Sequence, residues 1–377
     1  MEGTIKKLAI LGSTGSIGCQ TLEVARLFRD RFEITCLAAG NNIKDFSTQV
    51  AEFQPRFTFC NDNTAVRGRD GHLSLEEMAS HSDIDLVIIA TSGMRGLQPT
   101  LAAIQAGKTV AIANKETLVI AGEIIISLAA QHKATILPID SEHSAIWQCL
   151  IGENSDVRRL LLTASGGPFW GQPQSKLEDV TVKQALNHPT WKMGEKVTVD
   201  SATLFNKGME VIEARWLFNI PYERIEILIH RQSIIHSMVE FVDKSIKAQL
   251  SMPDMRLPIQ YALLYPERIN NQLLSSIDFS LIRELTFEQV NYDQFPCLKL
   301  ALEAAKMGAS YPIALCAADE IAVQLFLENK IKFTDIARII GNVLNSHKPS
   351  QCSGLEDILY MDALARQIAL KLAREGQ

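Results

Sequence analysis

The sequence is poor in the features that would place the protein outside the ordinary globular enzymes. Its seven cysteines are odd in number and include no CxxC pair, so we expect neither a disulfide framework nor a thiolate zinc site. It has no block of Lys and Arg, and its net charge is -6, which argues against a nucleic-acid surface. Charges interrupt the apolar runs before they reach membrane-spanning length, and no targeting segment is evident. We therefore expect a cytoplasmic protein with neither nucleic-acid nor membrane partners.

The length of 377 residues and the order of apolar patterns predict a multidomain α/β protein. Short apolar strands alternate with helical stretches up to residue 140, which is typical of a doubly wound parallel sheet of six strands. The predicted architecture is an N-terminal doubly wound Rossmann-like domain, a central α+β catalytic domain and a C-terminal helical bundle. The predicted bounds are 1–150 for the first domain, 151–265 for the second, 266–296 for a connecting segment and 297–377 for the helical domain.

A glycine-containing turn follows the first strand, in the stretch Gly12-Ser-Thr-Gly15-Ser-Ile-Gly18. Between a strand and a helix, such a turn lets a pyrophosphate approach the backbone at the helix N-terminus. Ser13 stands where the dinucleotide-binding fingerprint has its first glycine, and a purely structural turn is the alternative. The second strand ends at Gly40-Asn41-Asn42 without the Asp or Glu that binds the ribose of NAD, which favours NADP.

Two further strand ends carry charged residues. The run from Ile136 ends in Asp140 and Glu142, which would share one face of an extended backbone and suit a hard cation or a polar substrate. The alternative is a solvated Asp followed by a helix-capping Ser. Lys115, after another apolar strand, either contacts substrate or is a solvated residue in the first turn of a helix.

The second domain contains three candidate site segments. Ser165-Gly-Gly follows a strand and forms either an anion-binding turn or an ordinary tight turn. The loop 187–194 carries Trp191 and Met193, which serve either as core anchors or as part of a lid over a ligand.

The third segment, 199–216, reads as one capped helix that gathers Asn206, Lys207 and Glu210 on one side. The alternative is a solvated face with an ion pair. The cost of a glycine within a helix makes Gly208 a sign of close approach.

The remaining chain predicts a sheet and a group of helices. The segments 225–230 and 233–250 are rich in β-forming residues, with a turn near Asp243 and Lys244, and predict an antiparallel sheet. His230 and His236 are expected to be structural, because no metal-binding pattern frames them. Apolar periodicity predicts helices at 298–307, 312–329, 334–345 and 355–374.

Taken together, these motifs closely resemble those of the 1-deoxy-D-xylulose 5-phosphate reductoisomerases over essentially the whole chain. Six stretches carry the resemblance in this order: Gly12-Ser-Thr-Gly-Ser-Ile-Gly18, Ala113-Asn-Lys-Glu116, Pro138-Ile-Asp-Ser-Glu-His143, Ala164-Ser-Gly-Gly-Pro-Phe169, His188-Pro-Thr-Trp-Lys-Met-Gly194 and Val199-Asp-Ser-Ala-Thr-Leu-Phe-Asn-Lys-Gly-Met-Glu210. The resemblance implies an NADPH-dependent enzyme of isoprenoid synthesis. Such an enzyme rearranges 1-deoxy-D-xylulose 5-phosphate by a metal-assisted retro-aldol/aldol sequence and reduces the aldehyde to 2-C-methyl-D-erythritol 4-phosphate.

The resemblance also implies roles for individual residues. The expected ligands of one divalent cation, Mn2+ or Mg2+, are Asp140, Glu142 and Glu210. The expected substrate-binding residues are Lys115, Ser141, Glu142, Ser165, His188, Ser201, Asn206, Lys207 and Glu210, of which Ser165, Ser201, Asn206 and Lys207 would hold the phosphate. The expected catalytic residues are Lys115, Glu142, His188 and Trp191. The expected cofactor-binding residues are Thr14, Gly15, Ser16, Ile17, Gly40, Asn41, Asn42, Asn114, Glu116 and Gly194.

The resemblance further implies a homodimer joined through the β-rich segment. Two positions depart from the pattern of some relatives: Asn41 stands in place of a basic residue, and Thr190 in place of an Asn. Two alternative functions stay open at this point. One is an NADP-dependent dehydrogenase of another phosphorylated sugar, and the other is a non-catalytic NADP-binding regulator.

Overall fold

The computed structural model describes residues 5–62 and 66–375 and groups them into two compact units. The first unit comprises the chain up to Thr117 together with 125–147 and 254–277. The second comprises 118–124, 148–253 and the chain from Asp278 onward. Each unit therefore draws on separate stretches of sequence, and the three consecutive domains and connecting segment expected above remain a prediction.

The described residues form twelve strands and fourteen α-helices. The strands are β1 (Lys6–Leu11), β2 (Phe32–Ala38), β3 (Phe57–Phe59), β4 (Gly71–His72), β5 (Leu86–Ile89), β6 (Thr109–Ile112), β7 (Thr135–Pro138), β8 (Val157–Ala164), β9 (Ile225–Ile229), β10 (Ile235–Phe241), β11 (Ile246–Leu250) and β12 (Glu288–Gln289). The helices are α1 (Ser16–Leu27), α2 (Ile43–Phe53), α3 (Leu75–Ser80), α4 (Leu97–Gln105), α5 (Lys115–His132), α6 (Ser141–Leu150), α7 (Val182–Ala185), α8 (Glu195–Ala202), α9 (Phe205–Phe218), α10 (Arg256–Leu264), α11 (Pro296–Met307), α12 (Tyr311–Leu327), α13 (Phe333–Ser346) and α14 (Leu355–Glu375).

The first unit is built on a parallel sheet of order β4-β3-β2-β1-β5-β6-β7, which confirms the predicted doubly wound fold. The expected count of six strands was one too low. The additional strand, β4, pairs with β3 through only two residues and leaves no apolar pattern in the sequence. The strand order reverses at β1, the point where ligands bind in such sheets.

The core of the first unit fixes the position of that reversal. Leu8 on β1, Leu22 on α1, Ile88 on β5 and Leu263 on α10 are fully or almost fully buried members of one apolar cluster. Burying each such side chain contributes about 1.5–3 kcal/mol. The turn after β1 is thereby anchored from both sides.

The expectation that Asp140 and Glu142 share an extended backbone was wrong. Strand β7 ends at Pro138, and α6 begins at Ser141, so Glu142 lies in the first turn of a helix. The Asp140 carbonyl accepts a hydrogen bond from the Ser144 N–H at 2.8 Å, and its carboxylate accepts one from the Ser141 N–H at 3.0 Å. An Asp at the end of a strand thus starts the helix, because its side chain satisfies a free helical N–H group.

The second unit contains a five-stranded sheet of order β11-β10-β8-β9-β12. The predicted antiparallel hairpin is confirmed, since β10 and β11 pair antiparallel across a turn in which Lys244 has φ 71°. The sheet as a whole is mixed, because β8 and β9 are parallel. The chain between them forms α7, α8 and α9, which allows the parallel return.

The C-terminal helices α11 to α14 confirm the four predicted helices, each to within a few residues. Helix α11 packs closely on α9, because a Cβ built on Gly208 would lie 2.4 Å from Ala301 Cβ. Gly208 therefore permits close approach between two helices, the role that its cost within a helix predicted. Within the described part of the chain, no helix is long and apolar enough to cross a membrane.

The single capped helix expected over 199–216 was also wrong, since α8 ends at Ala202 and α9 begins at Phe205. Between them Leu204 adopts the left-handed conformation with φ 56°. The Thr203 hydroxyl donates to the Asp200 carbonyl at 3.1 Å and accepts from the Phe205 N–H at 3.3 Å. A Thr side chain that bonds the local backbone competes with helical hydrogen bonds, which explains the interruption.

Candidate active site

The glycine turn after β1 is packed so closely that a side chain on Gly12 or Gly18 would collide with neighbouring backbone. Gly12 has φ 99°, and a Cβ there would lie 2.4 Å from the Ala90 carbonyl oxygen. A Cβ on Gly18 would lie 2.2 Å from the Gly12 carbonyl oxygen. The chain then enters α1 at Gly15, which caps the helix without a side-chain hydrogen bond. A close backbone turn at a helix N-terminus is the arrangement that binds a pyrophosphate.

The end of β2 presents amide groups. Asn41 is exposed, and its Oδ1 accepts a hydrogen bond from Asn61 Nδ2 at 2.6 Å. Asn42 caps α2 by accepting from the Asp45 N–H at 3.3 Å, and its amide donates to the Asp45 carboxylate at 2.7 Å. Gly40 directly precedes this pair at the same edge of the sheet.

Asn114 joins the ends of two neighbouring strands. Its Oδ1 accepts from the Thr117 N–H at 2.9 Å, which caps α5, and its Nδ2 donates to the carbonyls of Thr91 and Gly93 at 2.8 and 2.9 Å. The amide therefore fixes the segment after β5 relative to α5. Glu116 lies in the first turn of α5, where the helix dipole favours a carboxylate.

Lys115 and Asp140 form a largely buried ion pair in the first unit. Lys115 Nζ lies 3.1 Å from Asp140 Oδ2, and the two side chains are only 10% and 15% exposed. The solvated alternative for Lys115 was therefore wrong. Next to this pair, the Ser141 hydroxyl donates to Glu142 Oε2 at 2.5 Å.

His143 was not singled out from the sequence. It is fully buried, and its Nδ1 lies 3.6 Å from Asp140 Oδ2. The sequence feature that could have identified His143 is its position three residues after Asp140. This stretch proves to be helical, and side chains three residues apart meet on a helix. His143 is thus a buried neighbour of the carboxylate that the sequence did identify.

In the second unit, the Ser165 turn is a concave backbone segment. Gly166 and Gly167 have φ values of 83° and 67°. The Ser165 hydroxyl accepts a hydrogen bond from the Gly167 N–H at 3.3 Å. A Cβ on Gly167 would lie 2.6 Å from the Ser201 carbonyl oxygen, so the turn rests directly on the last turn of α8. This brings Ser165 and Ser201 to the same region.

His188 connects the Ser165 turn to the loop 187–194. Its Nδ1 accepts hydrogen bonds from the N–H groups of Thr190 and Trp191 at 3.1 and 2.9 Å. Its Nε2 lies 3.0 Å from the Ser165 hydroxyl oxygen. Burial lowers the pKa of His188 to about 4. The imidazole is therefore neutral near pH 7, with Nδ1 as the acceptor and the proton on Nε2.

The loop 187–194 contains neither helix nor strand. The Trp191 side chain is partly exposed, and its ring centroid lies 6.0 Å from that of His236 at an interplanar angle of 59°. Gly194 then caps α8, where the Thr198 hydroxyl donates to its carbonyl at 2.8 Å. Trp191 is thus attached at one edge rather than enclosed by core residues.

The structural role expected for His230 and His236 is confirmed. His230 Nε2 accepts from the N–H groups of Ile234 and Ile235 at 3.2 and 3.1 Å, which closes the turn between β9 and β10. The ring of His236 lies 2.8 Å from the Ser251 hydroxyl through Nε2. Both imidazoles therefore serve the sheet and its connections.

Helix α9 gathers the three polar residues expected from their spacing. The Lys207 ammonium and the Asn206 amide both donate to the Glu210 carboxylate. Lys207 also donates to the Thr163 carbonyl at 2.6 Å, at the end of β8. The solvated alternative was wrong, because the side chains of Lys207 and Glu210 are only 4% and 1% exposed. A partly buried amide and a buried ammonium and carboxylate thus lie together.

The structure distributes the predicted site residues between the two units. The first holds the cofactor candidates near β1, β2 and α5 together with Lys115, Asp140, Ser141 and Glu142. The second holds Ser165, His188, Trp191, Gly194, Ser201, Asn206, Lys207 and Glu210.

Comparison with known families gives matches along most of the chain. The family models described as "1-deoxy-D-xylulose 5-phosphate reductoisomerase", "1-deoxy-D-xylulose 5-phosphate reductoisomerase C-terminal domain" and "DXP reductoisomerase C-terminal domain" match residues 8–122, 136–218 and 250–368. A 1-deoxy-D-xylulose 5-phosphate reductoisomerase of Caldanaerobacter subterraneus is 50% identical over 96% of this chain and 98% of its own length. One from Pelotomaculum thermopropionicum is 46% identical over 98% of this chain and 99% of its own length.

Solved structures agree with these matches. The enzyme of the same name from Zymomonas mobilis, in complex with NADPH, is 42% identical, with a TM-score of 0.89 and coverage of 98% of this chain and 99% of that one. A DOX-P reductoisomerase in complex with NADPH, fosmidomycin and magnesium is 40% identical, with a TM-score of 0.91 and coverage of 98% of both chains.

Proposed function

The chain belongs to the 1-deoxy-D-xylulose 5-phosphate reductoisomerase family, and we infer from this membership that it catalyses that family's reaction. It rearranges 1-deoxy-D-xylulose 5-phosphate and reduces the resulting aldehyde with NADPH to 2-C-methyl-D-erythritol 4-phosphate, for isoprenoid synthesis. The observation that carries this function is the similarity to a reductoisomerase over 96% of the chain. It outweighs the two alternatives, a dehydrogenase of another phosphorylated sugar and a non-catalytic regulator.

One assay tests this function directly. Purified protein is mixed with 1-deoxy-D-xylulose 5-phosphate and NADPH, and the loss of the reduced nicotinamide is followed by absorbance. We expect oxidation that EDTA abolishes and that added Mn2+ or Mg2+ restores. No oxidation with this substrate, or full activity in EDTA, would contradict the assignment.

We propose that four residues of the second unit bind the substrate phosphate: Ser165, Ser201, Asn206 and Lys207. The supporting observations are the concave turn at Gly166 and Gly167 and its contact with the Ser201 backbone. Lys207 supplies a buried positive charge, and the hydroxyl and amide groups supply hydrogen-bond donors. Holding the remote phosphate orients the reacting end of the substrate.

We propose that Asp140, Glu142 and Glu210 are the ligands of one divalent cation, Mn2+ or Mg2+. Each offers a carboxylate oxygen, and an all-oxygen donor set fits a hard cation. Lys115 lies beside Asp140 and Lys207 beside Glu210, so each of these two carboxylates has a cation next to it within its own unit. When bound, such an ion polarises the substrate carbonyl and stabilises the developing oxyanion.

Lys115, Ser141, Glu142, His188 and Glu210 are proposed to contact the remaining polar groups of the substrate. The neutral His188 donates from Nε2, because its Nδ1 is occupied by the two backbone N–H groups of the loop. This donor is directed at the Ser165 hydroxyl in the free protein. Among these residues, Lys115, Glu142 and His188 are proposed as catalytic, together with Trp191 of the loop.

His188 should remain neutral at pH values where an ordinary His is charged. Its pKa in the folded protein is lowered from 6.5 to about 4, so only the unfolded chain binds a proton between these values. The His188 contribution to stability is therefore complete above pH 6.5 and falls as the pH is lowered towards about 4. We expect its imidazole NMR signals to titrate near the lower value.

The control for this prediction is His188→Gln, which keeps an acceptor and a donor but cannot titrate. Stability of this variant should fall less than that of the wild type as the pH is lowered. Titration of the wild-type imidazole near its ordinary pKa would contradict the assigned hydrogen-bond roles.

The cofactor is NADPH, and we propose that it binds at the glycine turn after β1. We propose that Thr14, Gly15, Ser16 and Ile17 hold its pyrophosphate and that Gly40, Asn41 and Asn42 meet the ribose phosphate. Asn114, Glu116 and Gly194 complete the proposed cofactor set. The close fit of backbone at Gly12 and Gly18 supports the pyrophosphate position, since a Cβ at either residue would collide with neighbouring backbone and disrupt the tight turn.

Catalytic efficiency should be higher with NADPH than with NADH, by about tenfold or more, because β2 does not end in the Asp or Glu that binds the ribose of NAD and is followed by two amides. Asn41→Asp should reduce this preference by placing a negative charge beside the 2'-phosphate. The measurement is kcat/KM for both cofactors in wild type and variant. Equal or better efficiency of the wild type with NADH would contradict the prediction.

We propose a homodimer formed through the sheet of the second unit. Strand β11 is an edge of that sheet, and the neighbouring side chains of Val242 and Ile246 are 59% and 51% exposed. An edge strand with exposed apolar groups favours pairing with another chain. Light scattering should give the mass of two chains, and Ile246→Lys should shift it towards one.

A cytoplasmic location is proposed from the cysteines. All seven are unpaired, which suits a reducing compartment. Cell fractionation tests this location.

A further inference from the structure

A buried ion cluster lies next to the candidate phosphate site in the second unit. Lys196 belongs to the first turn of α8, and its Nζ lies 2.7 Å from Asp200 Oδ2 and 2.8 Å from Asp319 Oδ2. Both aspartate side chains are fully buried, and that of Lys196 is 23% exposed. Because Asp200 is on α8 and Asp319 is on α12, the ammonium group joins two helices that are far apart in sequence.

Both acidic members of the cluster are buried. The cluster places two buried carboxylates around one ammonium, and buried carboxylates depend on their charged partners. The Cys297 thiol on α11 also faces them: burial, followed by the charges of Asp319 and Asp200, raises its pKa. The Lys196 ammonium additionally lies 5.5 Å from the centroid of the Phe205 ring at the start of α9. Lys196 therefore contacts groups that define where α8 lies.

Helix α8 carries parts of the candidate site at both ends. Gly194, the last residue of the loop 187–194, caps its start. Ser201, which follows Asp200 directly, has its carbonyl oxygen within 2.6 Å of a Cβ built on Gly167, so the helix supports the Ser165 turn. The left-handed conformation of Leu204 interrupts the helical backbone before α9. Helix α8 is therefore a short, separate helix that does not share the hydrogen-bond ladder of α9.

We propose that Lys196 is a positioning residue for the substrate phosphate. By joining Asp200 to Asp319, it holds the end of α8 on α12 and keeps Ser201 against the Ser165 turn. This inference rests on the proposed phosphate site. Lys196 itself does not contact the phosphate, so its loss should affect the affinity for phosphate groups more than the chemical step.

The test compares Lys196→Met with wild type in the full-length enzyme with Mg2+ and NADPH. The readouts are KM for 1-deoxy-D-xylulose 5-phosphate and the inhibition constant of inorganic phosphate against it. We expect both to rise by about tenfold, while kcat and the KM for NADPH change by less than about twofold. Lys196→Arg, which keeps a cation, should restore most of the affinity. Lys330→Met, which removes an exposed ammonium paired with Glu328, is the matched control and should change neither readout.

A second variant separates positioning from stability. Lys196→Met leaves two buried carboxylates without their ammonium and is expected to lower the melting temperature. Combining it with Asp200→Asn and Asp319→Asn removes these charges and should recover much of the melting temperature. Weak phosphate inhibition that persists in this triple variant supports positioning. Recovery of wild-type phosphate affinity together with stability would overturn it.

Ser201→Ala distinguishes the failure of this inference from failure of the proposed site. If Ser201→Ala weakens phosphate inhibition and Lys196→Met does not, the positioning role is wrong while the phosphate site stands. If Ser201→Ala leaves phosphate inhibition unchanged, the assignment of Ser201 to the phosphate is wrong, and the positioning role fails with it.

Discussion

Glu210→Gln should reduce turnover by about 100-fold or more at limiting Mn2+, with partial recovery when the metal is in large excess. The substitution keeps the shape of the side chain and one of the two oxygens that accept from Asn206 and Lys207, but it removes the negative charge. A metal site made only of carboxylates has no softer donor to compensate for this loss. The measurement is kcat as a function of Mn2+ concentration.

The fold should survive this substitution. Lys207 retains its hydrogen bond to the Thr163 carbonyl, although losing its ionic partner carries a cost, about 3–5 kcal/mol for a buried pair. Circular dichroism at the assay temperature checks that the protein is folded. Glu303→Gln on α11, at an exposed position, is the matched control and should behave like wild type. Unaltered activity of Glu210→Gln at limiting Mn2+ would remove Glu210 from the metal site.

Trp191→Ala should impair catalysis strongly and leave the melting temperature of the free protein nearly unchanged. The backbone of the loop is held by His188 Nδ1 through the N–H groups of Thr190 and Trp191, so it does not depend on the indole. The indole is partly exposed and is available to cover a bound ligand. We expect kcat/KM to fall by about 10- to 100-fold, because an open loop admits water and loses the aldehyde fragments.

Trp147→Ala is the contrasting variant for this prediction. Trp147 is partly buried against the core of the first unit and contacts Tyr261 and Tyr265, with ring centroids 4.9 and 4.8 Å away. Its loss should lower stability by about 3–5 kcal/mol. Tryptophan fluorescence of wild type should also respond to substrate, and the response should shrink in Trp191→Ala. A large fall in the melting temperature of Trp191→Ala with near-normal catalysis would make Trp191 a core anchor.

The sequence predicted best those features that depend on local spacing. The turn at Gly12, the contact of Lys207 with Glu210 and the four C-terminal helices each follow from residues close together in the chain. Their physical basis is the period of the helix and the strand, which a pattern records directly. The same reasoning identified Gly208 as a point of close approach, although Ala301 as its neighbour was not predictable.

Features that depend on competition between nearby hydrogen bonds were harder to predict. The extended backbone ends at Asp140 because this residue starts α6. Thr203 interrupts the predicted helix although the apolar pattern of the sequence continues past this residue. Contacts between distant residues left no pattern at all. Lys196 and Asp319 are more than a hundred positions apart, and only the folded chain shows that they pair.

The interruption at Leu204 also sets an angular relation. In an unbroken α-helix, each residue turns the chain by about 100°, so Ser201 and Asn206 would project about 140° apart around one axis. The left-handed residue gives α8 and α9 independent axes, and the two donors are no longer bound to that angle. Deleting one residue from the segment between α8 and α9 would rotate Ser201 relative to Asn206, although both donor groups would still be present. The segment between the two helices is therefore constrained in its length as well as in its composition.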